Sequence, residues 1–163
     1  MDPSHLQDIP LTGGVITVST SRDASTDGSG ALIKERFGTS GIAVGFYEVV
    51  PDDIMAIRKA LTSAFAASCN IVVINGGTGI THDDCTIEAV SPLFEKTIEG
   101  FGELFRMLSY EEVGSRMVLS RAVAGIIDKK VVFCTPGSTA AVRLAMDAII
   151  LPEARHIITH ASK

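Results

Sequence analysis

The feature that most constrains this chain is the run Asn70-Ile71-Val72-Val73-Ile74, followed at once by Asn75-Gly76-Gly77-Thr78-Gly79. A short, nearly continuous β-branched run reads as a strand buried on both faces, the pattern of a parallel sheet covered by helices on each side. The glycines after it end the strand and offer backbone without Cβ atoms. Val15–Val18 and Ile42–Val50 also read as strands, as do Ala122–Ile127 and Lys130–Cys134, which meet at Asp128-Lys129. Helical stretches lie between them: Ala31–Phe37, a segment from Pro51-Asp52-Asp53 to about Ser68, Thr86–Val90, a segment opened by Pro92, Gly100–Val113, and one from Pro136-Gly137-Ser138 to about Ile150. Buried stripes are expected at Ile54, Ile57, Leu61, Ala64 and Phe65 and at Ala141, Val142, Ala145, Ala148 and Ile149, with Phe101, Phe105, Met107 and Leu108 also assigned to the core. This alternation predicts an α/β fold with a mostly parallel, doubly wound sheet and a local antiparallel pair at the Lys129 turn. Residues 1–13 read as a flexible arm and 14–163 as a single domain.

Hydrophobic residues make up 46% and charged residues 20% of the 163, a globular balance. No apolar run approaches the ~20 residues that cross a bilayer, and the first residues lack the basic-then-apolar pattern of a secretory signal. A cytoplasmic protein is the expectation. The net charge of −5 argues against nucleic acid as a partner. Cys69, Cys85 and Cys134 form no Cys-x-x-Cys pair and read as free thiols, two of them core residues. The mean hydropathy of +0.32 is high, which favours burial of aliphatic surface between subunits.

In an open α/β sheet, ligands sit beyond the carboxyl ends of the strands. Four loops leave strands at that edge: Ser19–Asp23, Pro51-Asp52-Asp53, Asn75–Asp84 and Thr135–Ser138. Successive N–H groups at Gly76-Gly77-Thr78-Gly79 suit an anion-binding nest. The loop is neither a Walker A motif nor a Gly-x-Gly-x-x-Gly fingerprint. Asp83 and Asp84 follow it. Asp84 has two readings from spacing: the cap of the helix near Thr86, or a ligand for Mg²⁺ beside bound phosphate. Asp52, after Pro51, suits the cap of the next helix. Arg22 and Arg121 are candidate phosphate partners, His82 a candidate donor, and Ser138 the expected cap of the last helix.

The loop Gly76-Gly77-Thr78-Gly79-Ile80-Thr81-His82-Asp83-Asp84-Cys85-Thr86-Ile87-Glu88-Ala89, the stretch Glu99–Ser109, Ser120–Gly125 and Pro136-Gly137-Ser138-Thr139 together resemble the MoaB/Mog family of molybdenum-cofactor biosynthesis proteins, in its MoaB branch. The resemblance implies a three-layer α/β fold assembled as a homotrimer or hexamer. It also implies molybdopterin binding and, in active members, adenylylation of molybdopterin by Mg²⁺ and ATP, ahead of a metal-insertion enzyme. By motif position it makes Asp52 and Asp84 the catalytic and Mg²⁺-binding carboxylates. It assigns ligand binding to Ser19, Thr20, Gly76, Gly77, Thr78, Gly79, Glu103, Ser120, Arg121, Pro136, Gly137 and Ser138. The family's Ser-x-Ser-Asp-Arg loop stands here as Ser19-Thr20-Ser21-Arg22-Asp23. Two alternatives accompany the transferase reading: a non-catalytic molybdopterin-binding or scaffold protein, and a nucleotide pyrophosphatase.

Overall fold

The computed structural model describes residues 6–163. Six strands form one sheet in the order β2-β1-β3-β6-β5-β4. In chain order these are β1 (Thr12–Val18), β2 (Ala43–Val50), β3 (Ile71–Asn75), β4 (Lys96–Thr97), β5 (Val123–Ile127) and β6 (Lys130–Thr135). Strands β2, β1, β3 and β6 run parallel, whereas β5 and β4 are antiparallel to their neighbours. The antiparallel pair forms because β5 and β6 are joined by two residues only. Asp128 and Lys129 both take positive φ, 45° and 62°, which matches the twist of a tight hairpin.

Alternation along each strand feeds two cores, giving three layers. Val15, Val73 and Phe133 point to one face, where α1 (Gly28–Thr39), α4 (Glu99–Val113), α5 (Thr139–Ala145) and α6 (Leu151–Ala161) cover them. Ile16, Ile74 and Cys134 point to the other, beneath α2 (Ile54–Ala66) and α3 (Thr86–Val90). Cys69 and Cys134 are buried, as a core role requires.

The last helical run departs from expectation. The sequence pattern ends this helix at about Ile150. Instead the chain passes through a widened turn, Met146–Ile150, where the Leu151 N–H bonds the Met146 carbonyl, and continues as α6. The extra residue in that turn shifts the buried face. Met146, Ile149, Ile150 and Ala154 are buried, while Ala148 is exposed. Met107 and Ile54 are also exposed, and Phe65 is only partly covered. Pro92 opens one short 3₁₀ turn, Ser91–Leu93.

Strand β1 begins at Thr12, before the segment Val15–Val18. Within the span read as an arm, Met1–His5 lie outside the described residues. The rest is in contact with the body: Gln7 N–H donates to Thr159 Oγ1 at 3.2 Å, and Ile9 and Leu11 pack on the core. Among the described residues no helix is long and apolar enough to cross a membrane.

Phe133 is fully buried and meets Phe101 edge-on, centroids 5.0 Å apart. Phe133→Ala is expected to lower stability by about 3–5 kcal/mol, read as a lower urea midpoint with native circular dichroism before the transition.

Candidate functional site

The carboxyl ends of β1, β3 and β6 lie side by side, with Thr17 opposite Asn75 and Asn75 opposite Thr135. The loops that leave them therefore converge on one edge. The first loop is folded by its own hydroxyls: Ser19 Oγ accepts from the N–H groups of Ser21 and Arg22. Thr20 Oγ1 reaches across to donate to Asp52 Oδ2 at 2.8 Å.

Asp52 does not cap α2, contrary to the simplest reading of its position. The cap is Asp53, whose Oδ2 accepts from Ala56 N at 2.8 Å. The chain turns between them, with Asp53 N–H bonding the Pro51 carbonyl, so Asp53 faces the helix and Asp52 faces the glycine loop. A Cβ placed on Gly77 would lie 3.0 Å from Asp52 Oδ1.

Gly76 and Gly77 hold φ of +91° and +65°. Any Cβ on Gly76 would collide with the Val18 carbonyl, and one on Gly77 with the Thr86 hydroxyl. Only glycine satisfies both the conformation and the space. Thr86 fastens the loop through its N–H to Gly77 O and its hydroxyl to Gly76 O. The Gly76 N–H is already taken by the Thr135 carbonyl. That leaves the Gly77, Thr78 and Gly79 N–H groups, rather than all four, with no hydrogen-bond partner among the described residues.

Asp84 is not a cap either. Its Oδ2 accepts from both the N–H and the hydroxyl of Thr81, at 2.9 and 2.7 Å. The N-cap position of α3 belongs to Cys85, which supplies no side-chain bond. Both carboxylates act on that cysteine: burial first, then Asp52, Asp53, Glu88 and Asp84, push its thiol up. Cys85 is thus a protonated neighbour rather than a nucleophile. His82 and Asp83 are exposed at the tip of the loop.

Arg121 is committed to protein. Its Nε donates to Thr78 O at 2.8 Å, and its two Nη groups fork onto Glu88. This braces the outer arm of the glycine loop against α3. Arg22 is different: among the described residues its side chain makes a single hydrogen bond, 3.3 Å from Nη1 to Gly137 O. The Gly137 carbonyl also accepts from Ser29 Oγ at 2.7 Å.

These loops enclose a cavity of about 360 Å³. Of the residues expected at a site, it brings together Ser19, Gly76, Gly77, Thr78, Gly79, Asp84, Ser120, Arg121, Pro136 and Gly137. An adjoining cavity of about 480 Å³ shares Ser19 and Arg22 and adds Thr20, Tyr47 and Pro51. Three expected residues line neither cavity: Asp52, which is hydrogen-bonded to Thr20 of the second one, Ser138 and Glu103. Ser138 caps α5 through Ala141 N, as its position predicted, and lines neither cavity. Glu103 is exposed on α4 and lines neither. Asp27 and Tyr47 went unassigned in the sequence, although Asp27-Gly28-Ser29-Gly30 has the form of a helix cap followed by small residues.

Residues 14–156 match the family model described as a probable molybdopterin-binding domain. The chain belongs to the MoaB/Mog family. It is 51% identical over 145 residues to molybdenum cofactor biosynthesis protein B of Bacillus cereus, covering 88% of this chain and 86% of that one. A crystal structure of a molybdenum cofactor biosynthesis protein B superposes with a TM-score of 0.91 at 47% identity, over 96% of this chain and 98% of the other. The tungsten cofactor synthesizing protein MoaB of Pyrococcus furiosus gives 0.88 at 42% identity, over 96% and 100%.

The Arg121 fork holds the Glu88 carboxyl below the usual carboxylate range, chiefly through its hydrogen bond. A lowered folded-state value means that the pair contributes above the unfolded value of ~4.3 and is lost as pH falls through the folded one. The difference in melting temperature between wild type and Glu88→Gln is therefore expected to be full near neutral pH and to close as pH falls below about 4, measured by thermal melts across that range.

Proposed function

We propose that this chain acts in molybdenum cofactor biosynthesis by binding molybdopterin and adenylylating it with ATP, releasing pyrophosphate. The observation that carries the reading is the pair Asp52 and Asp84. Neither serves as a helix cap, each has one oxygen held by a threonine, and both flank a loop whose N–H groups suit phosphate.

The reaction asks for little proton chemistry. An oxygen of the terminal pterin phosphate, already ionised at neutral pH, attacks the α-phosphorus of ATP. The bond to the β-phosphate breaks and pyrophosphate leaves. What the protein must supply is positioning and charge neutralisation of two anions. The Gly77–Gly79 amides orient one phosphate, and Arg22, which lines both cavities, supplies a guanidinium for the other. Leu119 and the Gly137 backbone close the sides.

The donor set fits Mg²⁺. Asp52 Oδ1 and Asp84 Oδ1 carry no hydrogen bond among the described residues, and no group of three or more His, Cys, Asp or Glu forms a metal cage there. One carboxylate oxygen from each aspartate, with phosphate oxygens and water, is the usual habit of this ion. When bound, it would offset the charge of the phosphates.

Exposed apolar side chains on the outer face of α4 and the following turn, notably Met107, Tyr110, Val118 and Leu119, suit burial against further copies of the chain in a trimer or hexamer. Light scattering of the purified protein tests this, and Val118→Glu is expected to lower the mass. A metal-insertion enzyme is the partner the product would require.

Asp84→Asn is expected to fold and to bind molybdopterin while losing adenylyl transfer by at least about a hundredfold, the range seen when transition-state charge stabilisation is removed. Pyrophosphate release from ATP, with and without molybdopterin, is the measurement. Release that needs no pterin would instead indicate a nucleotide pyrophosphatase, and unchanged turnover in the variant would refute the assignment of Asp84.

A further inference from the structure

Beneath the cavity, Thr17, Asn75 and Thr135 form a polar row across the ends of three parallel strands, in register and buried. Two atoms of this row, Asn75 Oδ1 and Thr135 Oγ1, have no hydrogen-bond partner among the described residues. Apolar side chains would fill this layer at lower cost, because unpaired polar atoms in a core are penalised. The row therefore points to a purpose other than packing.

It leads to Asp27, a carboxylate only 3% exposed. Asp27 Oδ2 accepts from Thr17 Oγ1 at 2.6 Å and from Tyr47 OH at 2.7 Å, and Oδ1 accepts from Gly30 N at 2.9 Å. No cation is among these partners, so hydroxyl and amide donors alone offset the lost solvation. Gly30 leaves the room: a Cβ there would collide with the carboxylate.

Two connections run from Asp27 to the cavity. Thr17 Oγ1 accepts from Asn75 Nδ2 at 2.9 Å, and Asn75 directly precedes Gly76-Gly77. Ser29, on the helical turn that Asp27 caps, donates to the Gly137 carbonyl. Tyr47 adds β2, on the far side of β1. One buried carboxylate thus joins the loops after β1, β3 and β6.

We propose that Asp27 is the positioning residue of the anion site, setting the separation of the Gly76–Gly79 and Pro136–Gly137 backbones through Thr17–Asn75 and Ser29. The functional part rests on the reading of the cavity as a phosphate site; the structural part does not.

Three variants test it in the full-length protein. Tyr47→Phe and Thr17→Val each remove one hydroxyl from Asp27. Thr135→Val removes a hydroxyl from the same row without cutting a bond. The first two are expected to shift the amide resonances of Gly77, Thr78 and Gly137, and to weaken Mg-ATP binding about tenfold, a loss of about 1.4 kcal/mol. Thr135→Val should leave that affinity within about twofold. A stability role alone would lower the melting temperature without moving affinity at temperatures where all variants are folded. Wild-type amide shifts and affinity in Tyr47→Phe overturn the proposal, as does an equal loss in Thr135→Val, which would mean general sensitivity of the layer. Should Thr17→Val not fold, Tyr47→Phe decides. Absence of ATP binding by the wild type would refute the phosphate reading, and the amide shifts would still decide whether Asp27 positions the loops.

Discussion

The close approach of the Gly76-Gly77 backbone to Val18 and Thr86 is the contact on which the site depends. It requires two consecutive positive φ values with no side chain at either position. Once it is made, the Thr86 hydroxyl and N–H hold the turn, and the Gly77, Thr78 and Gly79 amides have no hydrogen-bond partner among the described residues. The parallel register of β1, β3 and β6 sets the stage, since it brings Val18, Gly76 and Pro136 to the same edge. A doubly wound sheet always gathers loops there. What is particular here is how tightly three of them are tied together.

Charge shapes the site by opposition. Asp52 and Asp84 bring negative charge to a place suited to phosphate, in a chain already at −5. Most of the nearby positive charge is spent internally, because Arg121 is forked onto Glu88 and serves to brace Thr78. Backbone amides and the partly free Arg22 remain for an anion. Carboxylates that are neither caps nor ion-pair partners have a reason to be there when a cation and a phosphate share them, and this asymmetry supports the transferase reading over a simple binding pocket.

The fold was largely legible. The buried run Ile71–Ile74, the hairpin at Asp128-Lys129 and the core cysteines all stand where pattern and turn chemistry put them. The failures are instructive. Ala148 looked like a core residue and the helix like one ending at about Ile150, because regular helical spacing was assumed; a single widened turn changed the phase, and the helix continues past Pro152. Met107 looked like core because its helix was read without knowing which face the sheet would take.

At the site, residue types and spacing named the four loops, the glycines and both aspartates, and the family resemblance singled out Asp52 and Asp84. Sequence alone could not separate Asp52 from Asp53 as the cap, since either carboxylate can reach the first turn of a helix and only the turn at Pro51 orients them. Nor could it show that Gly76 N–H is spent on Thr135, that Arg121 is a brace, or that Asp27 links three loops, for these bonds join residues up to 108 positions apart. The sequence by itself determined the layered sheet and the glycine loop that follows β3, because periodicity and glycine placement act locally. The tertiary structure decided which polar groups are spent on the protein and which are left for a ligand, because that depends on distances between strands that no local pattern encodes.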